Sequence, residues 1–452
     1  MPPALSSTPG AAPARTAGAV SAAAKLRLLL IALAVVVLAE LIGPAQFQAG
    51  PGKVVLLPML WALLIAAAWG LAQRRMPAVI RIDTGLQGLA GNLLNAALLL
   101  FLTKLGLTVG GALPMVKEAG WALMFQEFGH AFGTLALGLP LALLLGIKRE
   151  AVGATFSVGR EGNLAIIGEK YGMASPEGRG VLAEYITGTV VGALFIAVLV
   201  GFVTSLNIFD PRSLAMGAGV GSGSLMAAAL GTITAQQPPE MAPQLTAIAA
   251  ASNLLTTVVG FYFTLFLSLP ACNWLYARLE PVLGRVSRRG RQPVAEPGLD
   301  GDGTPQVAHN TSLSDTALAW AVMVIGVTIG NALTYKVAPL TSLLGMAVVV
   351  AVVALVTAVK LLLPRLPLVL VLSAVATLAG VPGLLPFSDT MLQLTSKLNF
   401  MAFTTPVLAL AGFSVAKDLP LFRRLGWRIV VVSLAATAGT FLGATLIAEF
   451  FH

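Results

Sequence analysis

Two polar stretches punctuated by glycine decide how this chain folds: Gly153-Ala-Thr-Phe-Ser-Val-Gly-Arg-Glu-Gly-Asn163 and Gly217-Ala-Gly-Val-Gly-Ser-Gly-Ser224. Each one interrupts sequence that is otherwise strongly apolar. A charged pair such as Arg160–Glu161 is costly between hydrophobic segments unless it faces protein or water. Non-helical backbone at membrane depth persists only where it is buried in protein or lines a cavity. The two stretches therefore predict a polar site inside a membrane protein.

The composition places the chain among integral membrane proteins. Of its 452 residues, 57% are hydrophobic and 10% are charged, and the mean hydropathy is +0.88. Soluble proteins carry about 25% charged residues. The net charge of +9 therefore bears on orientation in the lipid bilayer, and no nucleic-acid partner is predicted. The single cysteine, Cys272, excludes an intrachain disulfide and a multi-cysteine metal site. No cofactor is predicted beyond a coupling Na⁺ or H⁺.

Hydrophobic runs predict an all-α polytopic membrane protein with about eleven transmembrane helices and two re-entrant glycine-rich hairpins. Residues 1–24 are interpreted as a disordered cytoplasmic tail, and residues 25–276 as a first transmembrane half that holds both interruptions. Residues 277–314 are interpreted as a flexible cytoplasmic linker, and residues 315–452 as a second transmembrane half. Similar proline-bearing spans in the two halves suggest an inverted repeat. The predicted spans are Leu28–Ile42, Val54–Leu71, Leu86–Thr103, Trp121–Ile147, Val181–Leu206, Leu245–Leu269, Thr316–Tyr335, Leu340–Leu363, Leu366–Leu385, Leu392–Val415 and Trp427–Phe450.

The positive charges favour one orientation in a bacterial inner membrane. We place the N-terminus in the cytoplasm and treat both interruptions as hairpins that enter and leave on one side. Most of the 28 lysines and arginines then lie on cytoplasmic segments, and the C-terminus lies outside. The distribution of lysines and arginines between the two sides requires only that both interruptions cross the membrane or that neither does. Their glycine content and the Arg160–Glu161 pair favour hairpins. The outer basic residues are Lys53, Lys104, Lys117, Arg212 and Lys336.

Side chains of the two interruptions are the predicted substrate ligands. Arginine offers a planar fork to a carboxylate, exposed N–H groups at a broken helix favour anions, and glycine permits close backbone approach. The alternatives are a structural ion pair at Arg160–Glu161 and close helix packing at the second interruption. The predicted ligands are Ser157, Arg160, Glu161, Asn163, Gly221, Ser222, Gly223 and Ser224.

The helix before the first interruption carries a polar stripe. Glu127, His130 and Thr134 share one helical face. Histidine titrates near neutral pH, and burial can move a glutamate toward that range. The stripe therefore predicts a proton or cation relay, with a polar packing face as the alternative. Weaker site candidates are Asn253, Asn399, Thr404 and Thr405.

Three motifs resemble a bacterial integral-membrane family that is catalogued as a domain of unknown function. They are Gly129-His-Ala-Phe-Gly-Thr, the run from Lys148 to Gly172, and Gly219-Val-Gly-Ser-Gly-Ser. The resemblance runs from about residue 30 to the C-terminus and implies no known substrate. More loosely, the paired Gly/Ser-rich hairpins resemble elevator-type secondary carriers such as sodium/glutamate symporters and 2-hydroxycarboxylate carriers. That resemblance implies a homodimer.

These observations predict a secondary active transporter, not an enzyme. The predicted substrate is a small anionic solute of the carboxylate type, coupled to H⁺ or Na⁺. A channel or a non-catalytic membrane protein is the alternative. A third class, an intramembrane serine hydrolase, requires His130 within hydrogen-bond reach of Ser222 or Ser224.

Overall fold

The computed structural model describes residues 20–49, 52–113, 120–158, 161–172, 175–286, 312–363, 368–424 and 426–451. Across these ranges the chain is helical apart from one antiparallel hairpin, β1 (Ala45–Ala49) and β2 (Gly52–Leu56). The helices are α1 (Ala22–Ile42), α2 (Pro58–Leu71), α3 (Thr84–Gly111), α4 (Gly120–Leu144), α5 (Glu150–Thr155), α6 (Glu161–Tyr171), α7 (Pro176–Ser205), α8 (Pro211–Gly219), α9 (Gly223–Thr234), α10 (Ala242–Phe263), α11 (Leu269–Val286), α12 (Leu313–Leu333), α13 (Pro339–Leu362), α14 (Leu368–Ala379), α15 (Ser388–Ser396), α16 (Phe400–Arg424) and α17 (Trp427–Glu449). A π turn, Gly188–Gly192, lies within α7, and another, Thr264–Ser268, joins α10 to α11.

Among the described residues, seven helices are long and apolar enough to cross a membrane. They are α1, α3, α4, α7, α12, α13 and α17. The prediction of a helical membrane protein is therefore confirmed. The β-hairpin is an exception to the all-α class, and its sequence Gln46-Phe47-Gln48 has the alternation of polar and apolar residues that favours a strand. It takes up the start of the predicted span Val54–Leu71, so α2 begins at Pro58.

The predicted span Leu392–Val415 is divided into two helices in the structure. Helix α15 ends at Ser396 and α16 begins at Phe400. Asn399 causes the new start, because its Oδ1 accepts a hydrogen bond from Met401 N at 2.9 Å. An asparagine side chain that satisfies a free N–H group in this way favours a helix start.

The predicted tail and linker are described only at their edges. Helix α1 begins at Ala22, and Ser21 caps it by accepting from Ala24 N. Helix α11 continues to Val286, so the first residues of the predicted linker are helical. Residues 1–19 of the predicted tail and 287–311 of the predicted linker lie outside the described residues.

Helices α4 and α17 pack antiparallel through two facing Gly-x-x-x-Gly pairs. A Cβ atom added to Gly129 would lie 2.1 Å from Gly443 O, and one added to Gly133 would lie 2.1 Å from Gly439 O. Small residues at this spacing let two helix backbones approach closely. Any larger side chain at these four positions must push α4 and α17 apart.

The first interruption is the helix–break–helix unit α5–α6, and both of its ends meet at Asn273 of α11. Arg149, just before α5, donates to Asn273 Oδ1 at 3.0 Å. Asn273 Nδ2 in turn donates to the hydroxyl of Tyr171, the last residue of α6, at 3.0 Å. The chain therefore enters and leaves this unit at one place. Arg149 also pairs with Glu177 at 2.6 Å, which fixes the start of α7 beside the same base.

The second interruption is the helix–break–helix unit α8–α9, and its base lies at the other end of α7. Helix α8 begins six residues after Ser205, where α7 ends. At the far end of the unit, Gln236 donates to Gly201 O in the last turns of α7, at 3.0 Å. A Cβ atom on Gly192 would lie 3.1 Å from Leu225 Cδ2, so α9 runs parallel to α7. The two bases are therefore separated by the length of α7.

We expect that Gly133→Ala lowers the free energy of unfolding by about 1–3 kcal/mol, because the added methyl group overlaps the backbone of α17. The measurement is the apparent melting temperature of the detergent-purified protein. Gly88→Ala on α3 is the matched control, since nothing lies within 4 Å of its added Cβ atom. Equal melting temperatures for the two variants would contradict the glycine-mediated packing.

Candidate functional site

The continuous segment formed by α10, its π turn and α11 caps both helix breaks. Asn253 of α10 donates from Nδ2 to Gly219 O at 2.7 Å and to Gly221 O at 2.9 Å. Ser268, at the end of the π turn, donates to Phe156 O at 2.5 Å. The last carbonyl groups of a helix have no partner within it. One segment therefore satisfies carbonyl groups at both breaks and fixes their positions.

The two breaks meet at a small cavity. Val158 of the first break and Gly221 of the second break both line it. Thr437 and Thr440 supply hydroxyl groups from α17. The cavity has room for about one water molecule, so a larger solute requires the breaks to move apart. The other lining residues are Ile196, Gly217, Ala218, Leu225 and Phe441.

The structure describes part of the predicted ligand set at the first break. Ser157 and Asn163 are buried. Thr264 of the π turn donates to Ser157 Oγ at 3.5 Å, whereas Asn163 Nδ2 has no acceptor among the described residues. Glu161 is the first residue of α6. Arg160 lies outside the described residues, so its role stays a prediction.

At the second break the predicted serines have structural partners. Ser222 caps α9 by accepting from Leu225 N at 3.4 Å, and its Oγ lies 3.2 Å from Ser224 Oγ. Gly223 is the first residue of α9. Both serines are half-buried. Their hydroxyl groups therefore stabilise the start of α9, while the neighbouring residues Gly221 and Leu225 line the cavity.

The predicted relay residues form two buried sets of contacts on α4. Glu127 Oε2 lies 3.2 Å from His130 Nδ1, and Glu127 Oε1 accepts from Thr256 of α10. Thr134 donates to the backbone carbonyl of His130 at 2.6 Å and lies 2.6 Å from Thr440 Oγ1. Thr440 also lines the cavity, so the second set reaches the meeting point of the two breaks, and only the backbone of His130 joins it to the first.

A second set of polar contacts joins α4 and α10 to the second break. Ser252 Oγ lies 2.7 Å from Met216 O of α8 and 3.0 Å from Gln126 Oε1 of α4, and its single hydrogen serves one of them. Gln126 Nε2 and His130 Nε2 are buried and have no partner in the described ranges. Three polar residues of α10 thus contact α4 and the second interruption. They are Ser252, Asn253 and Thr256.

The weaker candidates divide into two groups. Asn253 belongs to the site, because it holds the second break. Asn399 starts α16, and Thr404 returns a hydrogen bond to Met401 O at 2.7 Å within that helix. Thr405 donates to Glu40 of α1 at 2.7 Å. The last three residues thus have structural partners away from the residues that line the cavity.

The geometry offers no support for a serine hydrolase. His130 bonds to Glu127 through Nδ1, and its Nε2 has no partner in the part of the chain that the structure describes. Ser222 and Ser224 bond to each other and to the start of α9. A Ser–His pair requires a direct hydrogen bond between hydroxyl and imidazole.

Several residues of the site escaped the sequence analysis. Thr437 and Thr440 lie in α17, far along the chain from either glycine-rich stretch. The facing Gly-x-x-x-Gly pairs that bring α17 against α4 are visible in the sequence and were the available signal.

Comparison with known proteins supports the family that the motifs indicated. Residues 37–278 match the family described as "Protein of unknown function (DUF3100)". The chain belongs to the DUF3100 family. The match spans both helix breaks, α4, α7 and α10, and it ends within α11. We had predicted a resemblance that reached the C-terminus. No curated protein and no solved structure matches this DUF3100 chain.

We expect Asn253→Leu to loosen the second break, because Gly219 O and Gly221 O lose the amide that holds them. Each lost bond to a buried acceptor costs about 1–3 kcal/mol, so losing both should speed amide hydrogen exchange at least about tenfold. The measurement is hydrogen exchange of peptides that cover residues 217–224. Ser224→Ala, in the same break, removes one hydroxyl contact and should change the exchange little. Unchanged exchange in Asn253→Leu would show that α10 does not hold the break.

Proposed function

We propose that this DUF3100 protein is a secondary active transporter of a small anionic solute, coupled to a monovalent cation. One observation carries the proposal. Two helix–break–helix units start from opposite ends of α7, and residues of both breaks line one cavity. Broken helices that meet at the middle of the membrane are typical of the substrate sites of secondary transporters.

In this proposal the two units are re-entrant hairpins. Helices α5, α6, α8 and α9 have 6, 11, 9 and 12 residues. None of them reaches across a hydrocarbon core of about 30 Å at 1.5 Å per residue. Helix α7 has 30 residues and extends about 45 Å, so it separates the bases of the two hairpins by more than that thickness.

Seven of the eleven predicted spans correspond to the long apolar helices. We assign two more to the α10–α11 segment and α16. Helices α2 and α14 have 14 and 12 residues, which is too short for the hydrocarbon core at 1.5 Å per residue, so their spans stay predictions. With the basic residues beside the first hairpin base in the cytoplasm, the N-terminus lies inside and the C-terminus outside the bacterial inner membrane. Homodimer formation, implied by the resemblance to elevator-type carriers, stays a prediction.

The Glu127–His130 pair supports cation coupling at this site. The pair is buried, and Thr134 on the same helix contacts Thr440, which lines the cavity. A carboxylate and an imidazole in contact can share a proton. Ionisable residues inside membrane proteins mark ion and substrate pathways. Proton binding at this pair would therefore change the charge on the helix that contacts the cavity wall.

The anionic class of the substrate is supported by sequence. Arg160 follows Ser157 and Val158 at the first break, and Val158 lines the cavity. An arginine fork binds a carboxylate through two parallel hydrogen bonds, which lysine cannot reproduce. Small carboxylates, keto-acids and amino acids are therefore the first solutes to test.

Cysteine labelling tests the hairpins directly. In a Cys272→Ala background, single cysteines replace Lys148 and Lys170 at the first base, and Ile208 and Glu240 at the second. We expect a membrane-impermeant maleimide to reach the first pair from the cytoplasmic side and the second pair from the outer side. If the two members of either pair label from opposite sides, that unit crosses the membrane and the hairpin assignment is wrong.

A thermal-shift screen tests the function. A ligand that binds only the folded state raises the melting temperature. We expect a stabilising carboxylate whose effect depends on pH or Na⁺, disappears in Arg160→Ala and is weaker in Arg160→Lys. Glu127→Gln should keep the stabilisation and lose its pH dependence.

Arg212→Ala is the matched control for this screen, because Arg212 pairs with Asp210 at the base of the second hairpin at 3.0 Å. Loss of the ligand effect in Arg212→Ala as well would indicate general destabilisation. Conductance through reconstituted protein without any dependence on an ion gradient would point to a channel and overturn the proposal.

A further inference from the structure

A second buried carboxylate lies away from the cavity, near the end of α1. Glu40 is the third residue from the end of that helix and is 7% exposed. Helix α1 is one of the seven helices that can cross a membrane. A charged group at such a position is costly unless it has a partner or takes up a cation.

Both oxygens of Glu40 accept hydrogen bonds from threonines of other helices. Thr405 of α16 donates to Oε1 at 2.7 Å. Thr334, at the end of α12, donates to Oε2. Gly330 leaves the space for this contact, because a Cβ atom there would lie 3.1 Å from Oε1. The carboxylate thus joins three helices that are distant in sequence.

Glu40 lacks the cationic partner that other glutamates have. In the part of the chain that the structure describes, its polar contacts are the two hydroxyl groups. Four other buried or half-buried glutamates each pair with an arginine, lysine or histidine, namely Glu127, Glu150, Glu177 and Glu280. The negative charge of Glu40 is therefore compensated only by dipoles.

The ionisable groups near Glu40 do not neutralise it. Tyr335 follows α12, and burial, together with the Glu40 carboxylate, raises the pKa of its phenol, so Tyr335 stays neutral. Lys336 is exposed and donates from Nζ to Leu333 O at 2.7 Å. Within the membrane the simplest way to remove the uncompensated charge is to bind a proton.

We infer that Glu40, with Thr334 and Thr405, is a second proton-binding site of this protein. A hydroxyl group both donates and accepts. Each threonine can therefore donate to the carboxylate, or turn and accept the hydrogen of the protonated acid. The site holds Glu40 in both states without moving a helix. The inference does not depend on transport, because it concerns only proton binding at α1, α12 and α16.

Infrared difference spectroscopy of the full chain in lipid vesicles tests this inference. On acidification, a protonated buried carboxyl group gives a carbonyl-stretch band. We expect a component of this band that is present in the wild type and in Glu127→Gln and absent in Glu40→Gln. We also expect Thr405→Val to shift the frequency of that component, because it removes a hydrogen bond to the carboxyl group.

Two results would overturn the assignment. In the first, Glu40→Gln keeps the whole band, which places the proton elsewhere. In the second, Na⁺ at constant pH suppresses the band relative to choline, which makes the site a sodium site. The Glu127→Gln control separates this test from the proposed function. A band that persists in this variant does not come from the Glu127–His130 pair.

Discussion

Backbone groups inside a bilayer must find their hydrogen bonds within the protein, and this constraint organises the structure. Two helix breaks leave carbonyl groups without helical partners, and lipid offers none. Asn253 and Ser268 supply those partners from one continuous segment. They are separated along that segment by about 22 Å at 1.5 Å per residue. The positions of the two breaks, and hence of the cavity between them, follow from the spacing of two polar side chains on one helix.

The glycine-lined contact between α4 and α17 turns this arrangement into a connected site. A backbone separation set by Gly129, Gly133, Gly439 and Gly443 places Thr134 and Thr440 within 2.6 Å of each other. With larger residues at these positions the two hydroxyl groups would separate, and α4 would lose this polar contact with the cavity wall. Close packing therefore determines which side chains of α4 and α17 meet.

Local pattern predicted the parts of the site that lie within one element. The stripe Glu127, His130, Thr134 depends only on helical spacing, and the structure brings its members together on α4. The glycine-rich stretches similarly marked both helix breaks, and at the second one Gly219 is needed for close packing, because an added Cβ atom would lie 2.4 Å from Ala249 O. The break after α15 was missed although its signal is local, since residues 392–399 include five polar side chains and end at Asn399. The distant part is Asn331, whose Oδ1 accepts from Asn399 N at 3.1 Å.

Sequence reasoning failed where the partner is distant along the chain. Thr440 contacts Thr134 across 306 residues, and Thr405 contacts Glu40 across 365 residues. Nothing in a local pattern indicates such pairs. An unpaired acidic residue in an apolar helix is nevertheless visible in the sequence, and its cost alone requires a partner. Glu40 could have been identified by that cost, although its partners could not.

The two buried carboxylates differ in what they need from outside the protein. Glu127 contacts an imidazole that can carry the compensating charge, so one shared proton makes the pair neutral overall. Among the described residues Glu40 contacts only hydroxyl groups, which redistribute a proton but cannot supply one. A change in charge at Glu127 can therefore be an internal transfer within the pair, whereas a change at Glu40 must exchange a proton with the surroundings. The acid on α4 thus has a neighbour that can hold its proton, and the described contacts of the acid between α1, α12 and α16 offer none.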